Sequence, residues 1–181
     1  MSHADNQQER FIKIGWITGF VDGEGCFSIG LFQQPDRENN GHIRRGYKTG
    51  YQAFHEFAVT QGEKSLKALE LLRDYFGVGK LYLNTRHDNH KEHFYRYVVR
   101  KRTDLLEVII PFFRSNQLKT MKQTDFEKFA SCVEMMEQKE HLSHDGLRRI
   151  VEIVSTMNRK KSRKDLIKIL RDHTPASAKA E

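Results

Sequence analysis

The chain is short of several things, and each shortage excludes a class of protein. Two cysteines in 181 residues, Cys26 and Cys132, stand far apart with no Cys-x-x-Cys spacing. That excludes a disulfide framework and a cysteine-built zinc site. No apolar run approaches the roughly 18 residues that span a bilayer. The opening residues 1–10 are polar and carry no apolar core of a secretory leader. The expectation is a soluble intracellular protein of the cytoplasm or an organelle matrix, with no membrane partner. No internal repeat is present. Hydrophobic residues nonetheless make up 38% of the chain, enough for a packed core, which excludes wholesale disorder.

What the chain has in excess is positive charge: 31 Lys and Arg against 24 Asp and Glu, a net +7 and a pI near 9.4. The excess is concentrated. Residues 44–122 hold 16 basic and 8 acidic side chains, and residues 158–171 hold 7 and 1. The flanking stretches 1–43 and 123–157 are net acidic. Two basic blocks on an otherwise acidic chain are the pattern of a polyanion-binding surface; an ordinary solvated surface is the bland alternative.

Periodicity predicts a helix over residues 11–23, ending in a glycine-rich turn, then a strand over 27–33 and a polar loop over 34–41. A second, aromatic-rich strand falls within residues 47–59. Thr60-Gln61-Gly62-Glu63 has the form of a capping box opening a helix with an apolar stripe Leu66, Leu69, Leu72, Phe76, closed by Gly77. Strands are expected over 78–86 and 93–100, around the polar turn Asp88-Asn89-His90. A helix beginning at Thr103-Asp104 is kinked or ended by Pro111. A fourth, capped by Thr120-Met121-Lys122-Gln123, carries Phe126, Phe129, Val133 and Met136, which belong to the core. Two short helices, on Leu147, Ile150, Val151, Val154 and on Leu166, Ile169, Leu170, finish the pattern. The order αββαββα with extra C-terminal helices implies an α+β domain built on a mostly antiparallel four-stranded sheet. One domain over residues 11–172, a polar arm at 1–10 and a disordered tail at 173–181 are expected.

The segment Gly15-Trp16-Ile17-Thr18-Gly19-Phe20-Val21-Asp22-Gly23-Glu24-Gly25-Cys26-Phe27 carries the most information. Gly15, Gly19 and Gly23 share one helix face. Each costs roughly 1 kcal/mol relative to Ala in a helix interior, which points to a backbone that must approach closely. Asp22 and Glu24 sit where the helix dipole disfavours carboxylates, the mark of a metal or acid–base site rather than of a stabilising feature. No Gly-Lys-Ser/Thr follows, so a phosphate-cradling loop is disfavoured.

Ile17-Thr18-Gly19-Phe20-Val21-Asp22-Gly23-Glu24-Gly25, continued by Cys26-Phe27, resembles the motif of the LAGLIDADG homing endonucleases. Phe57-Ala58-Val59-Thr60-Gln61, Phe76-Gly77-Val78-Gly79, the stretch 118–126 and the stretch from Lys139 to Asn158 resemble the family's flanks, so the likeness covers most of the chain. The resemblance implies a site-specific DNA endonuclease, encoded within an intron or intein, in which two motif helices pack through small residues. A carboxylate from each helix then binds divalent metal, Mg²⁺ with Mn²⁺ or Ca²⁺ able to take the same positions. In this chain the metal position falls on Glu24, with the carbonyl of Gly23 beside it; Asp22 matches a position that shapes the helix end. Gln61 matches a residue that organises water. The family's active-site lysine falls on Lys122 or on Lys119, depending on which flank anchors the alignment. A family arginine four residues past Gln61 is replaced by Ser65, with Lys64 next to it. One motif per chain implies a homodimer whose seam contains Gly15, Trp16, Gly19, Phe20 and Gly23, and two-fold symmetry makes the double-stranded target a near-palindrome.

The family's sheet lies in the DNA major groove, where alternate side chains of each strand face the bases. Its facing selects Ser28, Gly30, Phe32 and Gln34, then Gln52, Phe54 and Glu56, then Lys80, Tyr82, Asn84 and Arg86, with Leu81 and Leu83 turned to the core. On the fourth strand His93, Tyr95 and Tyr97 compete with the set containing Arg96 and Arg100; His93 and Tyr95 are chosen, leaving Arg96 without a role. Arg44, Arg45 and Lys48 are phosphate-holding candidates, as are Lys160 and Lys161 in the run Arg159-Lys160-Lys161-Ser162-Arg163-Lys164. His87, His90 and His93 sit in a hairpin turn and do not converge as metal ligands would. Two rivals stand beside the nuclease reading: a binding module of the same fold, such as a maturase or transcription regulator, and a basic protein that merely coats nucleic acid. The latter needs neither the glycine face nor Glu24.

Overall fold

The computed structural model describes residues 3–85 and 93–157. Arg86, His87, His90, the basic run 159–164 with Lys160 and Lys161, the helix expected around Leu166 to Leu170 and the tail 173–181 lie outside the described residues. The fold is α+β, with a four-stranded sheet in the order β1-β4-β6-β5. The chain gathers into two compact units, Met1–Ser28 with Glu56–Phe126 and Ile29–His55 with Glu127–Glu181.

The first unit begins with helix α1 (His3–Glu24), longer than the 11–23 expected because the polar residues ahead of Phe11 continue the helix. Ile17 and Val21 are fully buried, which fixes the inward face of α1. The chain turns directly from α1 into strand β1 (Gly25–Gln33). Only glycine permits that turn, since a Cβ at Gly25 would lie 2.6 Å from the Val21 side chain and 2.7 Å from its carbonyl oxygen. Strand β4 (Tyr51–Gly62) runs antiparallel to β6 (Phe94–Val99), which pairs with β5 (Lys80–Asn84) on its other side.

The capping box at Thr60 does not form. Thr60, Gln61 and Gly62 extend β4 opposite Arg96, Tyr95 and Phe94, so their backbone groups serve the sheet. A 3₁₀ turn (Glu63–Ser65) then leads into α2 (Leu66–Phe76), which buries Leu69, Leu72 and Phe76 and ends at left-handed Gly77, as its stripe and final glycine predict. Pro111 neither ends its helix nor breaks it. Between α3 (Arg102–Asp104) and α4 (Ile110–Ser115) a π-helical turn (Leu105–Ile109) widens the backbone just where the proline ring would crowd the carbonyl four residues earlier. The interior is aromatic: Phe27 stacks on Phe57 at 5.0 Å and meets Phe113 and Phe126 edge-on. Tyr97, fully buried, donates its hydroxyl to the Val78 carbonyl at 2.8 Å.

The second unit contains a hairpin where a loop was expected. Strands β2 (Arg37–Asn39) and β3 (His42–Arg44) pair antiparallel across Asn40-Gly41. Both turn residues have positive φ, 51° and 78°, the geometry that makes Asn-Gly the favoured two-residue hairpin loop. Leu31 and Tyr51 pack on Leu147 and Val151 of α6 (His144–Ser155). Ser143 caps α6 by accepting the Gly146 amide at 3.1 Å. Helix α5 (Lys122–Glu137) begins in the first unit and contributes Phe129, Val133 and Met136, all fully buried, to the second.

Candidate active site and nucleic-acid interface

The site builds up around the last turn of α1. Asp22 accepts the backbone amides of Lys119 at 2.8 Å and Thr120 at 3.1 Å, and the Thr120 hydroxyl at 2.6 Å. Slight burial opposes ionisation of Asp22, but the Thr120 hydroxyl, these two amides and the Lys122 charge outweigh it, leaving its carboxyl below the usual range. The reciprocal box at Thr120 is replaced by this long-range cap: Gln123 accepts the Leu118 amide instead, at 2.9 Å. Asp22→Ala is expected to lower the stability of the chain by about 1–2 kcal/mol in urea unfolding, with a smaller loss for Asp22→Asn, which keeps one acceptor.

Pinned in this way, the segment delivers Lys122 to the helix end. Its ammonium donates to the carbonyls of Val21 at 3.0 Å and Gly23 at 3.1 Å. Burial lowers the lysine's pKa, against the opposing pull of Asp22, Cys26, Glu24 and Asp125. Of the two candidate lysines, therefore, Lys122 sends its side chain to Gly23, while Lys119 contributes a backbone amide to Asp22. Glu24 is exposed at the same helix end. The Gly23 carbonyl already accepts a cationic group, and with the Glu24 carboxylate it makes a hard-oxygen set suited to Mg²⁺ or Ca²⁺. Among the described residues no three His, Cys, Asp or Glu side chains gather as a metal-holding group. Gln61 stands opposite Tyr95.

On the opposite side of α1 from Ile17 and Val21, Gly15, Gly19 and Gly23 are all exposed, and a Cβ added at any of them would meet nothing within 4 Å. Trp16 is 37% exposed and stacks on Phe20 with ring centres 5.1 Å apart.

The register of the sheet decides which side chains face together. Phe57, Val59 and Gln61 oppose Val99, Tyr97 and Tyr95, so Tyr95 lies on the aromatic-core face, and His93 falls on it by alternation. His93 and Tyr95 therefore stand on the other face from Lys80, Tyr82 and Asn84. The outer face of β6 carries Arg96, opposite Tyr82, between Val98 opposite Lys80 and Phe94 opposite Asn84. Leu83, expected in the core, is 53% exposed. Glu56 is not an open reader either: it is only 5% exposed and is held by Arg96 and Arg100. Ser28 donates to the Glu56 carbonyl at 3.4 Å. Within the second unit, Gln34 donates to Gln52 at 3.0 Å, and Phe32 meets Phe54 edge-on at 6.0 Å, above Gly30. These pairs stand together as the alternation predicts. Arg44, Arg45 and Lys48 are exposed. Sequence reasoning weighed Arg96 and Arg100 and set them aside, and it took Thr120 only as a local helix cap; the available signal was Glu56, the one acidic residue of β4.

A glycine-faced helix ending in a carboxylate and running straight into a four-stranded antiparallel sheet defines the class: an α+β protein with polar groups gathered at the helix–sheet junction. The family model for the LAGLIDADG endonuclease matches residues 17–133. A Podospora anserina protein described as an uncharacterized 50.9 kDa protein in ND4 intron 1 is 34% identical over 71% of this chain and 25% of its own length. The homing endonuclease I-TnaI is 36% identical, with a TM-score of 0.71 over 89% of this chain and 97% of its own. I-SmaMI, solved on an uncleaved DNA target in the presence of calcium ions, is 31% identical, with a TM-score of 0.69 over 88% of this chain and 49% of its own. The chain belongs to the LAGLIDADG endonuclease family. It spans about a quarter of the length of the Podospora anserina and Neurospora crassa relatives it matches, and 88% of a shorter one from Mycosarcoma maydis. Among the described residues no helix is long and apolar enough to cross a membrane.

Proposed function

We propose that the chain is a homing endonuclease that cuts both strands of DNA at a long near-palindromic site, as a homodimer, with divalent metal ions. One observation carries the reading: the Lys122 ammonium rests on the Gly23 carbonyl at 3.1 Å, beside the exposed Glu24, at the end of a helix whose glycine face is open. DNA as substrate and a hard divalent cation are both supported by the I-SmaMI complex with its target and calcium.

Hydrolysis joins a water oxygen to phosphorus and breaks the bond to the 3′ oxygen, which leaves and takes up a proton. Divalent ions, when bound, supply the activation of that water and neutralise charge on the leaving oxygen. Glu24 and the Gly23 carbonyl would hold them from one chain, and the same pair from a second copy would complete the set. Lys122 places a positive charge where the scissile phosphate gains negative charge. Asp22 holds the segment that carries Lys122.

The test is a cleavage selection on random duplex DNA with magnesium. Recovered sites are expected to be related by a two-fold axis, and EDTA is expected to abolish cutting. Asymmetric sites overturn the homodimer, and an absence of cut product overturns the nuclease.

A further inference from the structure

We propose that Arg96 and Arg100 read guanine bases in the target and that Glu56 is the positioning residue that aims them; this rests on the nuclease reading above. The three side chains converge from separate strands. Glu56 is on β4, Arg96 is on the neighbouring strand β6 opposite Thr60, and Arg100 follows the end of β6, one residue past the Phe57–Val99 pair. Arg96 Nη2 donates to Glu56 Oε1 at 2.5 Å, while Arg100 donates through Nε and through Nη2 to Oε2, each at 2.7 Å. Tyr82, opposite Arg96, lies under the Arg100 guanidinium, 5.7 Å from its carbon to the ring centre.

Exposure gives the arrangement a direction. The Glu56 side chain is 6% exposed, against 33% for Arg96 and 49% for Arg100, so the carboxylate lies beneath and the two guanidiniums face outward. A pair serving stability alone needs one arginine for one carboxylate. Here two guanidiniums share one, and the cluster keeps a net positive charge on the face that also presents Lys80 and Asn84. A guanidinium has five N–H donors in a rigid fork. The contacts with Glu56 engage Nη2 of Arg96 and Nε and Nη2 of Arg100, so one buried carboxylate fixes both guanidinium planes. A fork fixed in this way matches the O6 and N7 acceptors of guanine in the major groove. A phosphate needs only the charge, which a lysine supplies equally well.

The experiment is a binding selection from random-sequence duplex DNA with calcium in place of magnesium, using the full chain and its variants. The wild type is expected to enrich sites with guanine at two symmetric pairs of positions, one pair for each arginine. Arg96→Lys and Arg100→Lys are each expected to lose the preference at one pair, by roughly tenfold or more, with the salt dependence of binding unchanged because the charge remains. Glu56→Gln is expected to loosen both pairs together. Should circular dichroism find that variant unfolded, Glu56→Asp, which draws the carboxylate back by one methylene, is measured in its place with the same expectation. Lysine variants that keep the guanine preference overturn the proposal. So does a Glu56 variant that weakens binding to every sequence alike, since that is the mark of a purely structural role. A wild type that enriches no sequence removes the nuclease reading and this inference with it.

Discussion

Glu24→Gln is expected to leave sequence-specific DNA binding intact and to reduce cleavage at least roughly a hundredfold, about 3 kcal/mol or more of transition-state stabilisation. The two effects separate because Glu24 sits at the end of α1, exposed, and is not among the outer-face residues of the sheet. The substitution removes a negative charge without changing the size of the side chain, so the helix–strand turn at Gly25 is preserved. In a homodimer both copies lose the ligand at once, and no wild-type half-site survives to nick one strand. Single-turnover cleavage beside gel-shift titration makes the measurement. Undiminished cleavage would remove Glu24 from the chemistry.

Gly19→Leu is expected to abolish dimerisation and cleavage while leaving the single chain as stable as before or slightly more so. Nothing in the single chain lies within 4 Å of a Cβ at this position, so the leucine meets no obstacle there. It also removes the entropy penalty of a glycine inside α1, worth up to about 1 kcal/mol. Any cost must therefore come from a second helix pressed against the glycine face. Overpacking at such a contact costs about 1–3 kcal/mol and acts from both sides of a two-fold seam. Cleavage should fall further than dimer affinity, because the two Glu24 carboxylates also move apart. Sedimentation velocity, a thermal melt and a cleavage assay on one preparation separate the three quantities. A Gly19→Leu dimer that still cuts would place the seam elsewhere.

Much of this protein is encoded in short-range pattern. Spacing along α1 puts Gly15, Gly19 and Gly23 on one face, as expected, and the structure buries Ile17 and Val21 on the opposite one. The stripe and terminal glycine of α2 likewise act within a few residues of one another. The same is true of the Asn40-Gly41 turn, whose signature was present but is easily absorbed into a polar stretch. Glu24, at the last position of the motif, needed nothing beyond its immediate neighbours to be singled out.

Tertiary structure decided the rest, wherever a residue had two local options and a distant partner chose between them. Thr60 has the sequence of a helix cap, but pairing with Arg96 makes it strand, since the ladder between the two inner strands outweighs one capping bond. Which of two lysines reaches the end of α1 turned on Asp22, 97 positions from Lys119 in sequence, whose carboxylate holds that segment while the Lys122 side chain meets Gly23. Arg96 looked misplaced among apolar neighbours because its partner, Glu56, lies 40 residues away on another strand. Alternation along a strand says which side chains share a face, but not which face is buried. That is settled by what packs there, and here Phe57 and Tyr97 took the inside while the arginines were left to the outside.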